Sequence, residues 1–220
     1  MMSRILRLWP LLLLLGLQIL FWRMPQIDLW FAGLFWNPEN GFYLAEALPV
    51  QWSYALFRDI PYVLVPALLW LYLASWLWRR RSEVELRRGL LFLFLVLATG
   101  PGLVVNEVFK AESGRARPSQ VQAFGGERIY TPPFEPSDQC RSNCSFISGH
   151  AAMGYFFLAF AWLLRDRRWL YWGAAIGLLV GLGRIMQGAH FLSDVLFGYP
   201  VVFATALLLA RPLLGRWRIE

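Results

Sequence analysis

Residues 5–22, 60–78, 90–109, 147–164, 169–187 and 191–209 form six stretches of 18–20 residues, each with at most one formally charged side chain. About 20 apolar residues in a helix cross the roughly 30 Å hydrocarbon core of a bilayer, so each stretch is long enough to span. The expected fold is therefore all-α: a polytopic membrane bundle of six transmembrane helices, making one domain over residues 1–220. Arg184 interrupts the fifth stretch, and only a short gap parts it from the sixth. The first stretch has the length of a signal peptide but no small-residue cleavage site, since RMPQIDLW follows it, and it reads as an anchor. Composition agrees, with 58% hydrophobic residues, 12 Trp and only 16% charged residues.

The net charge of +7 would suit nucleic acid, but the arginines fall in short clusters between apolar runs and form no basic face. No nucleic-acid partner is expected. Arg4 and Arg7, the run RRRSEVELRR (79–88), RDRR (165–168) and Arg211, Arg216 and Arg218 all fall on one side of the predicted bundle. The positive-inside rule places that side, with both termini, in the cytoplasm, and makes 23–59 and 110–146 extracytoplasmic. Cys140 and Cys144, the only cysteines, lie in the second of these segments, where thiols are oxidised. They read as a local disulfide or as two free thiols; no second Cys or His pair stands near to complete a metal site. The aromatic segment 25–52, broken by Pro and Asn-Gly, is expected along the outer membrane surface, as an anchor or as a lip that guides a lipid.

Three polar pieces interrupt this pattern, and the expected topology brings all three out on one face. KAESGRARPSQ (110–120) leaves the third span, SFISGHAAMG (145–154) opens the fourth, and GRIMQGAHFLSD (183–194) joins the fifth to the sixth. Ionisable groups beside lipid are costly unless they are paired or functional. Ser148 is a good helix cap, with Gly149 and His150 in the first turn, where free N–H groups suit an anion; the plainer reading is an ordinary cap with an interfacial histidine. His190 and Asp194 share a helix face, as a polar contact or as a carboxylate that fixes the tautomer of a nucleophilic imidazole. Lys110, Arg115, Arg117 and Arg184 form either a solvated basic surface or a ring of four cations suited to phosphate oxygens. Together these parts are what phosphoryl transfer requires.

The combination resembles the type 2 phosphatidic acid phosphatase superfamily. Its pattern is a lysine, six residues and Arg-Pro; then Pro-Ser-Gly-His; then Ser-Arg, five residues, His, three residues and Asp. Here the pieces are KAESGRARP, ISGH and GRIMQGAHFLSD, in order and with the same spacing. Ile147 stands in place of Pro and Gly183 in place of Ser, and neither change removes a group to which the family assigns chemistry. The resemblance implies that His190 attacks phosphorus and becomes a phosphohistidine, while Asp194 orients it. His150 protonates the leaving alcohol and then activates water. Lys110, Arg117, Ser148, the Gly149 N–H and Arg184 hold the phosphate oxygens, with no metal or other cofactor.

The implied substrate and partner is a phosphorylated membrane lipid in a bacterial inner membrane, met from the periplasm or exterior. The runs FGG, TPPFEPSDQC and NCSFISGH look like the bacterial lipid A phosphatases, and in particular the 4'-phosphatase-like branch. Undecaprenyl diphosphate, phosphatidylglycerol phosphate and phosphatidic acid are the alternatives within the family. Arg115, Arg128 and Arg141 lie outside the core motif and are candidates for a second phosphate, unless Glu112, Glu127, Glu135 and Asp138 neutralise them. A transporter would carry its charges near the midplane. A non-catalytic phospholipid-binding protein would have no need for both histidines of the chain to occupy catalytic positions.

Overall fold

The computed structural model describes residues 2–77, 82–216 and 218–219. The arginines at 79–81 and Trp78, the expected end of the second span, lie outside the described residues. Helix α1 (Met2–Arg23) is followed at Pro25 by α2 (Gln26–Gly33), and the two axes are bent by 83°. A two-stranded antiparallel hairpin follows, with β1 (Trp36–Asn37) paired to β2 (Gly41–Phe42). Next come α3 (Leu48–Ala74) and α4 (Ser82–Leu97). Helix α4 runs on into wider π-helical winding over Ala98–Phe109 and then into the short α5 (Lys110–Glu112). After a long irregular segment the chain enters α6 (Gly149–Tyr155), a 3-10 turn (Phe156–Ala159) and α7 (Phe160–Leu164). Helices α8 (Arg168–Met186), α9 (Leu192–Leu196) and α10 (Gly198–Leu214) complete the bundle.

Among the described residues four helical runs are long and apolar enough to cross a membrane: Leu48–Leu77, Val84–Phe109, Arg168–Met186 and Leu192–Leu214. The bent pair formed by α1 and α2 makes a fifth if it counts as one span. The chain is a mostly helical, multi-pass membrane protein. Of the six expected crossings, the fourth, Gly149–Leu164, falls below the length of the others. Its composition explains how it can be short. Ala151, Ala152, Tyr155, Phe156, Leu158, Ala159, Ala161 and Trp162 are all buried, so this helix is packed inside the bundle and wrapped by neighbours.

Small residues allow that packing. Gly173, Gly177 and Gly181 recur every fourth residue of α8 and form a smooth face, as small residues do wherever membrane helices approach closely. A Cβ added at Gly177 would stand 2.1 Å from the Tyr155 ring, and one at Gly173 would stand 2.4 Å from the Leu158 nitrogen. Close contact of α8 with the Gly149–Leu164 helix brings the end of α8, with Arg184, towards the start of α6, with His150. The π-helical segment bears on the same region. Its Pro101 has no N–H to donate, and the Asn106 side chain donates to the Pro101 carbonyl at 2.8 Å. Asn106 lies against Gly149, where a Cβ would come within 2.6 Å of its oxygen.

Segment 25–52 does more than lie along a surface. Asp28 and Ala32 of α2 are fully buried, and Phe42 of the hairpin packs edge-on against Phe124. Helix α3 begins at Leu48, well before the expected start at residue 60. It runs through Arg58 and Asp59, which form an exposed ion pair at 2.7 Å. The sequence reading places both residues in the extracytoplasmic segment 23–59.

Candidate active site

The turn between α8 and α9 presents His190. Gly188 adopts φ +62°, which glycine tolerates without the usual Cβ penalty, and the Phe42 ring lies where a side chain would otherwise stand. The chain then passes Ala189 to His190, which is 1% exposed. The His190 Nδ1 lies 2.7 Å from the Ser145 carbonyl oxygen. A carbonyl only accepts, so Nδ1 carries the proton and Nε2 keeps its lone pair. The sequence reading gives this orienting contact to Asp194, whose Oδ2 stands 3.7 Å away, beyond hydrogen-bond reach. Asp194 works one step further out. Its Oδ2 accepts from the Ser145 hydroxyl at 2.5 Å and from the Phe191 N–H at 2.7 Å, so it fixes the residues on either side of the ring.

Three of the four expected cations gather here. Lys110 lies just past the end of its span, and burial, together with the positive charges of Arg117 and Arg184, brings its pKa down to about 8. Burial also lowers the pKa of Arg117, against the pull of Asp194 and Tyr54. The His190 ring is brought down to about 4 by burial; the Asp194 carboxylate opposes the shift, while Arg184 and Lys110 reinforce it. At neutral pH that imidazole is uncharged and able to attack. Arg184 occupies the last turn of α8, donates from Nη1 to the Gln187 side chain, and places its Cζ 4.5 Å from the centre of the Tyr54 ring. The same Tyr54 stacks on His150, with centroids 5.0 Å apart and planes 24° apart. Neither the His150 Nε2 nor the Arg184 Nε has a hydrogen-bond partner among the described residues, although both are buried.

Ser148 caps α6 as its sequence suggests, accepting from the Ala151 N–H at 3.4 Å. Its own N–H donates to the Asp194 carbonyl at 3.0 Å, so the helix start that carries Gly149 and His150 is tied to the start of α9. The Ser119 N–H donates to the Gly188 carbonyl at 2.9 Å and joins the Arg117 loop to the His190 turn. Two cavities open beside the cations. One, of about 250 Å³, is lined by Glu46, Gln51, Tyr54, Arg117, Arg184 and Gln187, among others. The other, of about 360 Å³, is lined by Asn106, Lys110, Arg141, Ser142 and Asn143.

Arg115 is the fourth expected cation, and it lies elsewhere. It is 2% exposed, and its guanidinium donates to Asp194, to Ser193 Oγ at 2.9 Å, to Asp28 at 2.7 Å and to the Thr131 carbonyl at 2.7 Å. A buried arginine held between two carboxylates cannot also meet a lipid headgroup, which corrects its reading as a second-phosphate contact. The two carboxylates hold its pKa above the usual arginine value, although burial alone would lower it. Arg128 is exposed, bridges Val121 through its backbone and lines neither cavity. Arg141 lines the larger one beside Lys110. Cys140 and Cys144 form a disulfide, and within its loop the Asn143 carbonyl accepts from Arg117 Nη2 at 2.9 Å and Nε at 3.2 Å.

Sequence reasoning missed Tyr54, Ser145, Asn106 and Asp28. Only Asp28 carries a local signal, as the one charge in QIDLWFAGLFW. Among the described residues no group of three His, Cys, Asp or Glu side chains could hold a metal ion.

This constellation matches a known family. The PAP2 superfamily pattern covers residues 89–218, more than half of the chain. The chain belongs to the PAP2 superfamily. It is 37% identical over 199 residues to a lipid A 4'-phosphatase of Francisella tularensis subsp. novicida (strain U112), covering 84% of this chain and 88% of the relative. A lipid A 4'-phosphatase of Rhizobium leguminosarum is 31% identical over 219 residues, covering 88% and 91%. A lipid A 1-phosphatase of Rhizobium johnstonii (strain DSM 114642 / LMG 32736 / 3841) is 37% identical over 115 residues, covering only 50% of this chain and 44% of the relative. No solved structure matches. The PAP2 match contains all three polar pieces, whereas α1, α2, the hairpin and α3 precede it.

Proposed function

We propose that this PAP2 protein removes the 4'-phosphate of lipid A at the extracytoplasmic face of a bacterial inner membrane, through a phosphohistidine at position 190. That it is a hydrolase of lipid phosphate esters follows from its family and its relatives. The observation that carries the mechanism is the His190 ring itself. Its Nδ1 proton is committed to the Ser145 carbonyl, leaving Nε2 as the nucleophile beside Lys110 and Arg184.

The Nε2 lone pair forms a bond to phosphorus as the bond from phosphorus to the lipid oxygen breaks. His150, which enters the cycle as the imidazolium beside the anionic substrate, gives its proton to that departing oxygen and is left neutral. The ring of His190, phosphorylated on Nε2 and still protonated on Nδ1, is then cationic. Water loses a proton to His150 and attacks phosphorus, releasing inorganic phosphate and restoring neutral His190. Lys110, Arg117 and Arg184 balance the charge on the equatorial oxygens throughout, a role that Mg²⁺ fills in kinases. His150 Nε2 and Arg184 Nε, which lack a partner among the described residues, belong to residues with a role in these steps.

The 4' position is favoured by coverage. Two 4'-phosphatases align with more than four-fifths of the chain, and the 1-phosphatase with only half. Arg141, which lines the cavity beside Lys110, is the remaining candidate for a second anionic group of the same lipid. The test is phosphate release by purified protein in chelator from lipid A, from its 1-phosphate and 4'-phosphate monophosphoryl forms, and from phosphatidic acid, phosphatidylglycerol phosphate and undecaprenyl diphosphate. Turnover of the two forms that carry a 4'-phosphate is expected. Preference for the 1-phosphate form or for a glycerolipid overturns the substrate, and a strict need for added Mg²⁺ overturns the mechanism.

A further inference from the structure

Asp28 stands 87 positions before Arg115 and 165 before Ser193, yet it is completely buried against both. Its Oδ2 accepts from Arg115 Nη2 at 2.7 Å, from Ser193 Oγ at 2.5 Å and from the Tyr130 hydroxyl at 3.1 Å, while its Oδ1 accepts from the Ser193 N–H at 2.8 Å. Both oxygens therefore face a group that can only donate, which suits an ionised carboxylate. Asp194 has the same character, with Arg115 on Oδ1 and the Phe191 N–H on Oδ2. The guanidinium is stacked 4.5 Å from the centre of the Phe191 ring and 5.3 Å from that of Tyr130.

A count of charges gives this arrangement a meaning. Arg115 is shared between two carboxylates, so Asp194 alone would be neutralised by its partner. With Asp28 present, the buried cluster of two anions and one cation keeps a single net negative charge. Buried charge survives only when paired and hydrogen-bonded, and breaking such a pair is far costlier than replacing both members. The cluster reaches His190, the ring that becomes cationic in the proposed cycle, through Asp194, whose Oδ2 stands 3.7 Å from Nδ1. The other charged or titratable groups acting on that ring, Arg184, Lys110 and His150, belong to the phosphate side and none is negative.

We propose that Asp28, on α2 of the bent N-terminal pair, is a positioning residue for the hydrolysis. It holds Arg115 in place behind Asp194 and supplies the negative charge that offsets the phosphorylated His190 ring. This inference rests on the phosphohistidine reading. It gives the segment before the PAP2 match a part in the chemistry, because that segment brings a carboxylate to the back of the site.

The test compares Asp28→Asn, Asp28→Glu, Arg115→Gln and the double variant Asp28→Asn/Arg115→Gln, as full-length protein in detergent with lipid A as substrate. Thermal unfolding is measured for each, and His190→Ala serves as control. Asp28→Asn is expected to lower kcat about 10–100-fold, as the loss of an outer partner of a functional group commonly does, with KM within about twofold, while Asp28→Glu recovers part of the loss. The double variant removes one charge of each sign and restores the net count, so it should turn over faster than Arg115→Gln. A purely structural role predicts instead that kcat follows the folded fraction read from thermal unfolding, because the double variant also relieves the unpaired Asp28 carboxylate that Arg115→Gln leaves buried; the charge role predicts that the double variant is faster per folded molecule. A folded Asp28→Asn with unchanged kcat overturns the proposal, as does a double variant no faster per folded molecule than Arg115→Gln. Should Asp28→Asn fail to fold, the second comparison decides. If His190→Ala also retains activity, the phosphohistidine reading has failed; if it is inactive while Asp28→Asn is normal, only the present inference has failed.

Discussion

On the side reached from His190 Nδ1, the side chains of Asp194, Arg115, Asp28 and Ser193 satisfy one another, whereas on the phosphate side His150 Nε2 and Arg184 Nε are buried without partners among the described residues. A saturated network is rigid and expensive to rearrange, because each member would leave an uncompensated buried charge. Unpartnered donors beside Lys110 and Arg117 are the reverse: groups aimed and not yet committed, as electrostatic catalysis requires. Under the proposed mechanism, one side pre-organises the nucleophile and the other stabilises charge. Ser145 connects them, since its hydroxyl serves Asp194 and its carbonyl serves His190.

Substitutions on the phosphate side should have the largest effects. His150→Ala should lower kcat by about 10²–10⁴, the usual contribution of a general acid, and the loss should shrink when the lipid alcohol is replaced by a good leaving group such as nitrophenol. An equal loss with both leaving groups would remove His150 from proton transfer. On the saturated side, Asp194→Asn should cost about 10²–10³-fold, less than the roughly 10⁴ seen where an aspartate bonds directly to a catalytic histidine. The tautomer here is fixed by a main-chain carbonyl that the substitution leaves in place. A loss as large as that of the nucleophile itself would mean that Asp194, and not Ser145, holds the ring.

The pH profile sharpens the phosphate side further. With its pKa held near 8, Lys110 loses its charge as pH rises through that value, so kcat/KM of the free enzyme should fall on the alkaline side with a midpoint of about 8. Arginine at this position stays charged, and Lys110→Arg should abolish the limb even if it lowers the plateau. An unchanged limb would exclude Lys110 as its source. Because His190 is already neutral above about 4, no acid limb from the nucleophile is expected near neutrality. The smallest effect concerns the disulfide loop. Cys140→Ser/Cys144→Ser should raise KM by a few fold with kcat little changed, since the Asn143 carbonyl that holds Arg117 sits in that loop. A kinetic profile identical to the parent would show that the loop holds Arg117 without the bond.

The sequence exposed most of the phosphate side, because its residues lie in three short motifs whose spacing is visible without coordinates. Lys110, Arg117, Ser148, His150, Arg184 and His190 all come together. The saturated side was legible only at Asp194. Its other members meet across separations of 79 and 87 positions between Arg115 and its two carboxylates, and no periodicity records such a pairing. Arg115 reads as one more exposed cation in KAESGRARP because local sequence does not reveal which side chain of a basic run turns inwards. The spans show a similar division. Apolar length located four helical runs long enough to cross among the described residues, but Gly149–Leu164 is shorter and lined by protein, and α1 bends at Pro25 into a helix that brings Asp28 to the cluster behind the site.

The most direct measurement is covalent capture. Protein incubated with lipid A radiolabelled in its 4'-phosphate is quenched in alkali, where phosphohistidine persists, and assayed for bound label that acid then releases. Acid-labile label is expected on the parent enzyme and none on His190→Ala, whose turnover should fall by at least about 10⁴-fold. Label on another residue, or normal turnover with alanine at position 190, would contradict the phosphohistidine mechanism.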